Sequence, residues 1–268
     1  MLPVALSIAG SDSSGGAGIQ ADLKTFQAFG VFGTTAITAL TAQNTLGVTA
    51  VHAIPPEMVI EQIRLVATDL HPAACKTGML ATAELVEVVA DAIEELGLRN
   101  YVLDPVMVST SGARLLDRDA ESSIMERLLP LCTLVTPNLD EAAVMAGRPV
   151  VDEEAMREVA RELVTRGAGA ALIKGGHLSG DVIVDVLFDG REFRRWERPR
   201  IETRNTHGTG CTLAAAITAG LARGEPLANA VAGGLEFVHR AILEAPGLGA
   251  GHGPLNHFVA VAPVAAGS

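Results

Sequence analysis

The sequence predicts a three-layer α/β fold, a mainly parallel central sheet with helices on both faces, and three observations lead there. Short apolar runs alternate with stretches of helical periodicity along most of the chain. Aromatic residues make up only 3% while glycine occurs 28 times, so Ala, Val, Leu and Ile must build the core and glycines remain for turns and close backbone approaches. Hydrophobic residues reach 49% and charged ones 19% over 268 positions, enough for a large core and too apolar for disorder.

The elements follow in order. Residues 4–9 form an apolar strand that runs into the loop Gly10-Ser11-Asp12-Ser13-Ser14-Gly15-Gly16-Ala17-Gly18, after which Ile19, Leu23 and Phe26 fall at helical spacing. Residues 33–42 and 47–54 read as strands, and a helix entered through Pro55-Pro56 runs to about Leu70. A short strand over 75–78 precedes a helix over 82–96 that Gly97 closes. The buried strand 101–103 delivers Asp104 at its end, where Pro105 stops further pairing. Then come a helix over 117–129, a strand over 131–136, helices over 139–146 and 153–166, and a strand over 170–174. Strands 182–188 and 192–196 flank Asp189-Gly190-Arg191, a turn signal for an antiparallel hairpin. Helices over 210–223 and 227–243 finish the regular structure, and residues from 247 onwards read as a loop with a short edge segment. Neither a Pro/Ser-rich linker nor an internal repeat divides the chain, so residues 1–268 read as one domain.

The net charge of −11 argues against nucleic acid or an anionic membrane surface as partner. Three scattered cysteines, Cys75, Cys132 and Cys211, make neither a disulfide framework nor a zinc ribbon and fit a reducing cytoplasm. The apolar start lacks a basic leader, and no apolar run reaches the ~18 residues of a membrane span, so neither a signal peptide nor an anchor is expected.

Gly16-Ala17-Gly18-Ile19-Gln20-Ala21 matches the dinucleotide pattern G-x-G-x-x-A. The acidic ribose partner such a site needs about 20 residues later is missing, because no Asp or Glu lies between Asp22 and Glu57. A stronger signal is Asn205-Thr206-His207-Gly208-Thr209-Gly210-Cys211-Thr212 before an apolar helix, where bare backbone N–H groups can converge on an anion. Asp104, Thr136-Pro137-Asn138-Leu139-Asp140-Glu141 and Lys174-Gly175-Gly176-His177 each follow a strand, so all gather at one carboxyl edge of the sheet. There Asp104 and Glu141 could hold Mg²⁺, and Lys174 could sit on phosphate oxygens. The competing structural readings are a turn or cap for Asp104, a helix cap for Asn138, core packing for Met79 and a small buried residue for Cys211.

The segments Ile8 to Thr25, Ala42-Gln43-Asn44-Thr45, Thr77-Gly78-Met79-Leu80, Leu103-Asp104-Pro105-Val106-Met107, Thr136-Pro137-Asn138-Leu139, Lys174-Gly175-Gly176-His177 and Thr206 to Cys211 closely resemble one family. It is the ribokinase-like hydroxymethylpyrimidine kinase/hydroxymethylpyrimidine phosphate kinase family of thiamin biosynthesis, matched from about residue 4 to residue 240. The resemblance implies two successive phosphorylations of 4-amino-5-hydroxymethyl-2-methylpyrimidine by Mg-ATP, and a homodimer. It assigns the aminopyrimidine edge to Asp22 and Gln43, ring clearance to Gly10 and the ring faces to Met79 and Val106. Gly208, Thr209, Gly210 and Cys211 match an anion hole; Lys174, Asn138 and Thr209 match the ATP side, and Asp104 with Glu141 the Mg²⁺ network.

Most ribokinase-like sugar kinases carry Asp where Cys211 stands, and a thiol at a helix N-terminus is expected to have a lowered pKa and to act as a modest base. A thiol would also spare an anionic acceptor the repulsion of a carboxylate. Pyridoxal kinases share the scaffold, but their lid cysteine has no counterpart in residues 107–112; the lid, residues 108–114, is expected to close over substrate. A binding-only sensor would have lost metal or phosphate residues, and every one is present.

Overall fold

The computed structural model describes residues 2–107, 118–176 and 180–261. The expected lid over 108–114 and His177 lie outside them. Strands β1 (Val4–Asp12), β2 (Phe32–Asn44), β3 (Gly47–Ala53), β4 (Ala74–Thr77), β5 (Tyr101–Leu103), β6 (Leu134–Val135), β7 (Ala171–Lys174), β8 (Val182–Phe188) and β9 (Phe193–Pro199) form one sheet. Its order is β3-β2-β1-β4-β5-β6-β7-β8-β9. Every pairing from β2 across to β7 is parallel, and the two edges, β2–β3 and β7–β8–β9, are antiparallel. The parallel centre needs cover on both faces, and the side-chain alternation supplies it. Tyr101 and Leu103 enter one core and Val102 the other, as do Ala171 and Ile173 against Leu172. Each fully buried Val, Leu or Ile among them contributes roughly 1.5–3 kcal/mol relative to exposure.

On one face lie α2 (Pro56–Leu70), α3 (Ala83–Glu95), α5 (Leu139–Ala146) and α6 (Glu153–Thr165), burying Ile63, Val89, Met145 and Val159. On the other lie α1 (Gly18–Ala28), α7 (Thr209–Ala222) and α8 (Leu227–Leu243), burying Phe26, Ile217 and Phe237. Local chemistry sets the helix starts. Pro55 and Pro56 open α2, Thr82 accepts from the Leu85 N–H to cap α3, and Asp152 accepts from the Ala155 N–H to cap α6. Helix α7 is buried from Thr212 through Ala222, which is why alanine dominates it: it runs between the sheet, α1 and α8.

Three expectations change. The helix over 117–129 is instead a short α4 (Arg118–Ser123) followed by a π turn at Ile124–Leu128 and a 3-10 turn at Leu129–Leu131, because Pro130 has no N–H to continue the ladder. That 3-10 turn displaces the strand expected over 131–136, leaving only Leu134–Val135 paired. The segment from 247 to 261 forms no strand at the sheet edge. A single bridge joins Pro254 to His207, and Leu255, His257 and Val259 are buried on the α7–α8 side.

Candidate active site

One cavity of about 960 Å³ opens at the carboxyl ends of β1, β4, β5 and β7 and collects nearly every residue singled out above. Gly10, Gln43, Met79 and Val106 line one end, and Asp104, Asn138, Glu141 and Lys174 the other. Gly208, Thr209, Gly210 and Cys211 line it as well. Gly10 touches Met79: a Cβ built on Gly10 would stand 3.3 Å from the Met79 sulfur, so the glycine keeps the floor open.

Two glycine loops meet at the N-terminus of α7. Gly208 is the N-cap at φ +83°, and a Cβ there would fall 1.9 Å from the Gly16 carbonyl oxygen. Only glycine permits both the left-handed backbone and this contact. No side chain caps α7, Gly210 and Cys211 of its first turn line the cavity, and the helix dipole adds positive potential there.

Asp12 ties the loops together. Its carboxylate accepts from the backbone N–H of Ser14 (2.8 Å), Gly16 (3.1 Å) and Ala17 (2.8 Å), and from His207 Nε2 (2.8 Å). Burial opposes its charge, but the bonds from His207, Ser14 and Ala17 prevail and bring its pKa down to about 2. The Gln43 amide lies 3.3 Å from the same histidine nitrogen.

The phosphate-facing end is arranged differently. Lys174 Nζ stands 3.5 Å from Asp104 Oδ1 and 3.8 Å from Glu141 Oε2. Asp104 Oδ2 is buried with no hydrogen-bond partner among the described residues. Glu141 and Asn138 form a reciprocal capping box, Asn138 Oδ1 accepting from the Glu141 N–H and Glu141 Oε2 from the Asn138 N–H. Burial pushes the Glu141 carboxyl up to about 7; Lys174 opposes this and Asp104 adds to it. Burial pulls the Lys174 ammonium down, but Asp104, Glu141 and Cys211 outweigh it, and its pKa is raised. A buried orphan oxygen beside a carboxyl that resists ionisation suits a hard divalent cation held through few protein ligands and its own waters. Among the described residues no group of three or more His, Cys, Asp or Glu side chains gathers, here or elsewhere, so protein ligands to such a cation would be few.

Two expectations about this site are corrected. Asp22 does not line the cavity. It is fully buried on α1, bonded to Lys76 Nζ at 3.0 and 3.1 Å and to Ser7 Oγ at 2.6 Å, so its oxygens are engaged inside the protein. The Cys211 thiol is not poised as a thiolate either: burial pushes it up to about 12, with Lys76 opposing, Asp104 and Asp22 adding, and the Gly18 N–H opposing.

The sequence reading did not select Asp12 or Lys76 and left His207 without a role. Lys76 is wholly buried behind the cavity wall, where a Cβ on Gly78 would stand 3.4 Å from its Nζ. One signal was available: Ile19, Asp22 and Phe26 share the spacing of a single helix face, so Asp22 belongs to the buried side of α1.

Known proteins resemble this chain in sequence and in fold. A family model described as phosphomethylpyrimidine kinase matches residues 12–256. A hydroxymethylpyrimidine/phosphomethylpyrimidine kinase of Rhizobium meliloti is 53% identical over 261 residues, 96% of this chain and 98% of its own. The thiamine biosynthesis bifunctional protein ThiED of Geobacter sulfurreducens is 51% identical over 97% of this chain, which spans 53% of that longer protein. Among solved structures, the Bacillus subtilis pyridoxal kinase in its ADP complex superposes with a TM-score of 0.89 at 39% identity, covering 96% of this chain and 98% of that one. The phosphomethylpyrimidine kinase of Clostridium difficile superposes at 0.81, also at 39% identity, covering 90% and 99%. The fold is thus that of a ribokinase-like kinase, and the chain belongs to the phosphomethylpyrimidine kinase family.

Proposed function

We propose that the chain transfers the γ-phosphoryl group of ATP to the hydroxymethyl oxygen of 4-amino-5-hydroxymethyl-2-methylpyrimidine, and then a second phosphoryl group to the phosphate so formed. One observation carries this reading: a single cavity joins a glycine-floored, Met- and Val-walled end with an amide side chain to a helix N-terminus flanked by a lysine and two carboxylates. The flat ring fits the first end and the triphosphate the second. The ring lies between Met79 and Val106 over Gly10, with its polar edge towards Gln43 and its hydroxymethyl group towards Cys211.

In the transfer, the bond from the acceptor oxygen to phosphorus forms as the bond to the ADP oxygen breaks. The N–H groups at the start of α7 and Lys174 stabilise the charge on the phosphoryl oxygens in flight. Because such transition states are loose, the acceptor proton leaves late and little is asked of a base. A protonated Cys211 then contributes by being neutral, since a carboxylate at ~4 Å from an anionic acceptor would cost about 4 kcal/mol at an effective dielectric of 20. Asn138 acts by holding Glu141 through the capping box. Asp104 and Glu141 would hold Mg²⁺, which when bound supplies charge neutralisation along the triphosphate.

A homodimer belongs to this reading and is supported by the exposed apolar residues Leu40, Leu46 and Val51 of the β2–β3 hairpin. A cytoplasmic location belongs to it too, supported by three free cysteines, Cys75, Cys132 and Cys211. Among the described residues no helix is long and apolar enough to cross a membrane.

The test is incubation of the pure chain with Mg-ATP and either the hydroxymethylpyrimidine or pyridoxal, separating mono- and diphosphate products. Pyrimidine diphosphate with little pyridoxal phosphate is the expected outcome. Efficient pyridoxal phosphorylation without pyrimidine diphosphate would overturn the substrate. Light scattering on the same sample should give twice the chain mass.

A further inference from the structure

Gln43 sits in the cavity between two groups whose own bonding fixes which way round its amide must lie. His207 Nε2 is 2.8 Å from Asp12 Oδ2. An ionised carboxylate only accepts, so Nε2 must carry a hydrogen and donate it, and it has no lone pair left to accept from an amide nitrogen. The structure sets Gln43 Nε2 3.3 Å away, a donor facing a donor; turning the amide over relieves this and lets its oxygen share the Nε2 hydrogen with Asp12.

The opposite end gives the same answer independently. Thr41 Oγ1 is 2.9 Å from the Ser11 carbonyl oxygen and 3.1 Å from Gln43 Oε1, so one hydroxyl hydrogen faces two acceptors. The hydroxyl has one hydrogen, and the carbonyl can only accept it, so towards Gln43 the hydroxyl accepts and must meet an NH₂. The planar amide has the same shape either way round, so this balance of donors and acceptors decides its orientation.

We propose that Asp12–His207 on one side and Ser11–Thr41 on the other clamp Gln43 with its oxygen towards His207 and its NH₂ towards Thr41, making His207 and Thr41 positioning residues that set substrate specificity. The proposal rests on the aminopyrimidine reading above. Clamped in this way, Gln43 offers the ring one acceptor and one donor in fixed order. The acceptor meets an exocyclic amine and the donor a bare ring nitrogen, as an amide reads adenine. The deaminated 4-oxo ring presents the reverse pattern, a carbonyl and a ring N–H, and would place acceptor against acceptor and donor against donor. Turning the ring over would carry the hydroxymethyl group away from Cys211. An amide free to rotate would accept both rings, whereas a clamped one rejects the second because its polar groups stay unpaired.

The experiment compares kcat/KM for the 4-amino substrate and its 4-oxo analogue in the parent, His207→Phe and Thr41→Val, with Mg-ATP and the full chain. The parent should prefer the amino ring by about 100-fold or more. Each variant should narrow that ratio by about tenfold or more, chiefly through a gain on the oxo analogue, which structural damage alone would not give. Thr41→Val is near-isosteric and keeps the test open if His207→Phe does not fold. A ratio unchanged in folded variants, or a parent that accepts both rings equally, overturns the proposal. A parent that phosphorylates neither ring overturns the underlying substrate reading instead.

Discussion

The two ends of the cavity are built on opposite terms. At the acceptor end Asp12 receives bonds from three backbone N–H groups and a histidine, and its pKa falls to about 2. At the phosphate end Asp104 keeps an orphan oxygen, Glu141 is pushed up to about 7 by burial, and Lys174 reaches its carboxylates only at 3.5 and 3.8 Å. The first end is complete within the folded chain and contributes to its stability. The second is electrostatically unfinished and gains when a cation and phosphates arrive, so substitutions should damage stability at one end and turnover at the other.

The largest expected effect lies at the unfinished end. Asp104→Asn should lower kcat by about 10²- to 10³-fold, as loss of a group acting on transition-state charge does. Its thermal midpoint should stay within a few degrees of the parent's, because Glu141 still faces Lys174 while the repulsion of Asp104 on Glu141 is lifted. Calorimetry beside a coupled ADP assay checks both, and a large fall in midpoint would erase the contrast.

Next comes acid stability behind the complete end, where the buried His257 ring meets Thr212 Oγ1 at 3.0 Å. Burial, reinforced by the Lys24 charge, pulls its pKa from 6.5 down to about 4. Between those values the unfolded chain binds a proton that the folded chain does not, so stability falls as pH drops through this window. The loss should approach about 3 kcal/mol in denaturant titrations run from pH 7 to pH 4. His257→Gln should flatten that slope; an unchanged slope would assign it to other groups.

Asp12→Ala should cost at least about 2 kcal/mol, the linkage value of its depressed pKa, with a fall of roughly 4–8 °C in the thermal midpoint. That contribution is fully present above pH 3.8 and disappears as pH falls through about 2. The smallest effect is expected for Cys211→Ser, which keeps a neutral polar group and should leave kcat within about fivefold for both phosphorylations. Cys211→Asp should weaken the second phosphorylation more than the first; equal losses would show that charge at this position does not discriminate between acceptors.

The sheet, the helices of both layers and the convergence of Asp104, Glu141, Lys174 and the α7 loop were legible because hydrophobic period and strand-end position are local properties of sequence. The π and 3-10 turns over 124–131 were not, since a helical hydrophobic pattern does not report how Pro130 redistributes hydrogen bonds. Asp22 shows the limit of carrying a role over from a resemblance: the motif is present, but the helix face on which it falls directs the carboxylate to Lys76 and away from the cavity. Cys211 shows another. A helix N-terminus favours a thiolate, and burial beside two carboxylates outweighs it, a balance that only the three-dimensional surroundings determine.

The bond between Asp12 and His207 joins residues 195 positions apart. Closing so long a loop costs chain entropy that no local contact repays, and the two partners come together only after the strands between them have paired in register. Assembly of the acceptor pocket therefore belongs to the last stage of folding. A partly folded chain would hold sheet and helices without a working pocket, so recovery of activity during refolding should lag behind recovery of the far-ultraviolet circular dichroism signal.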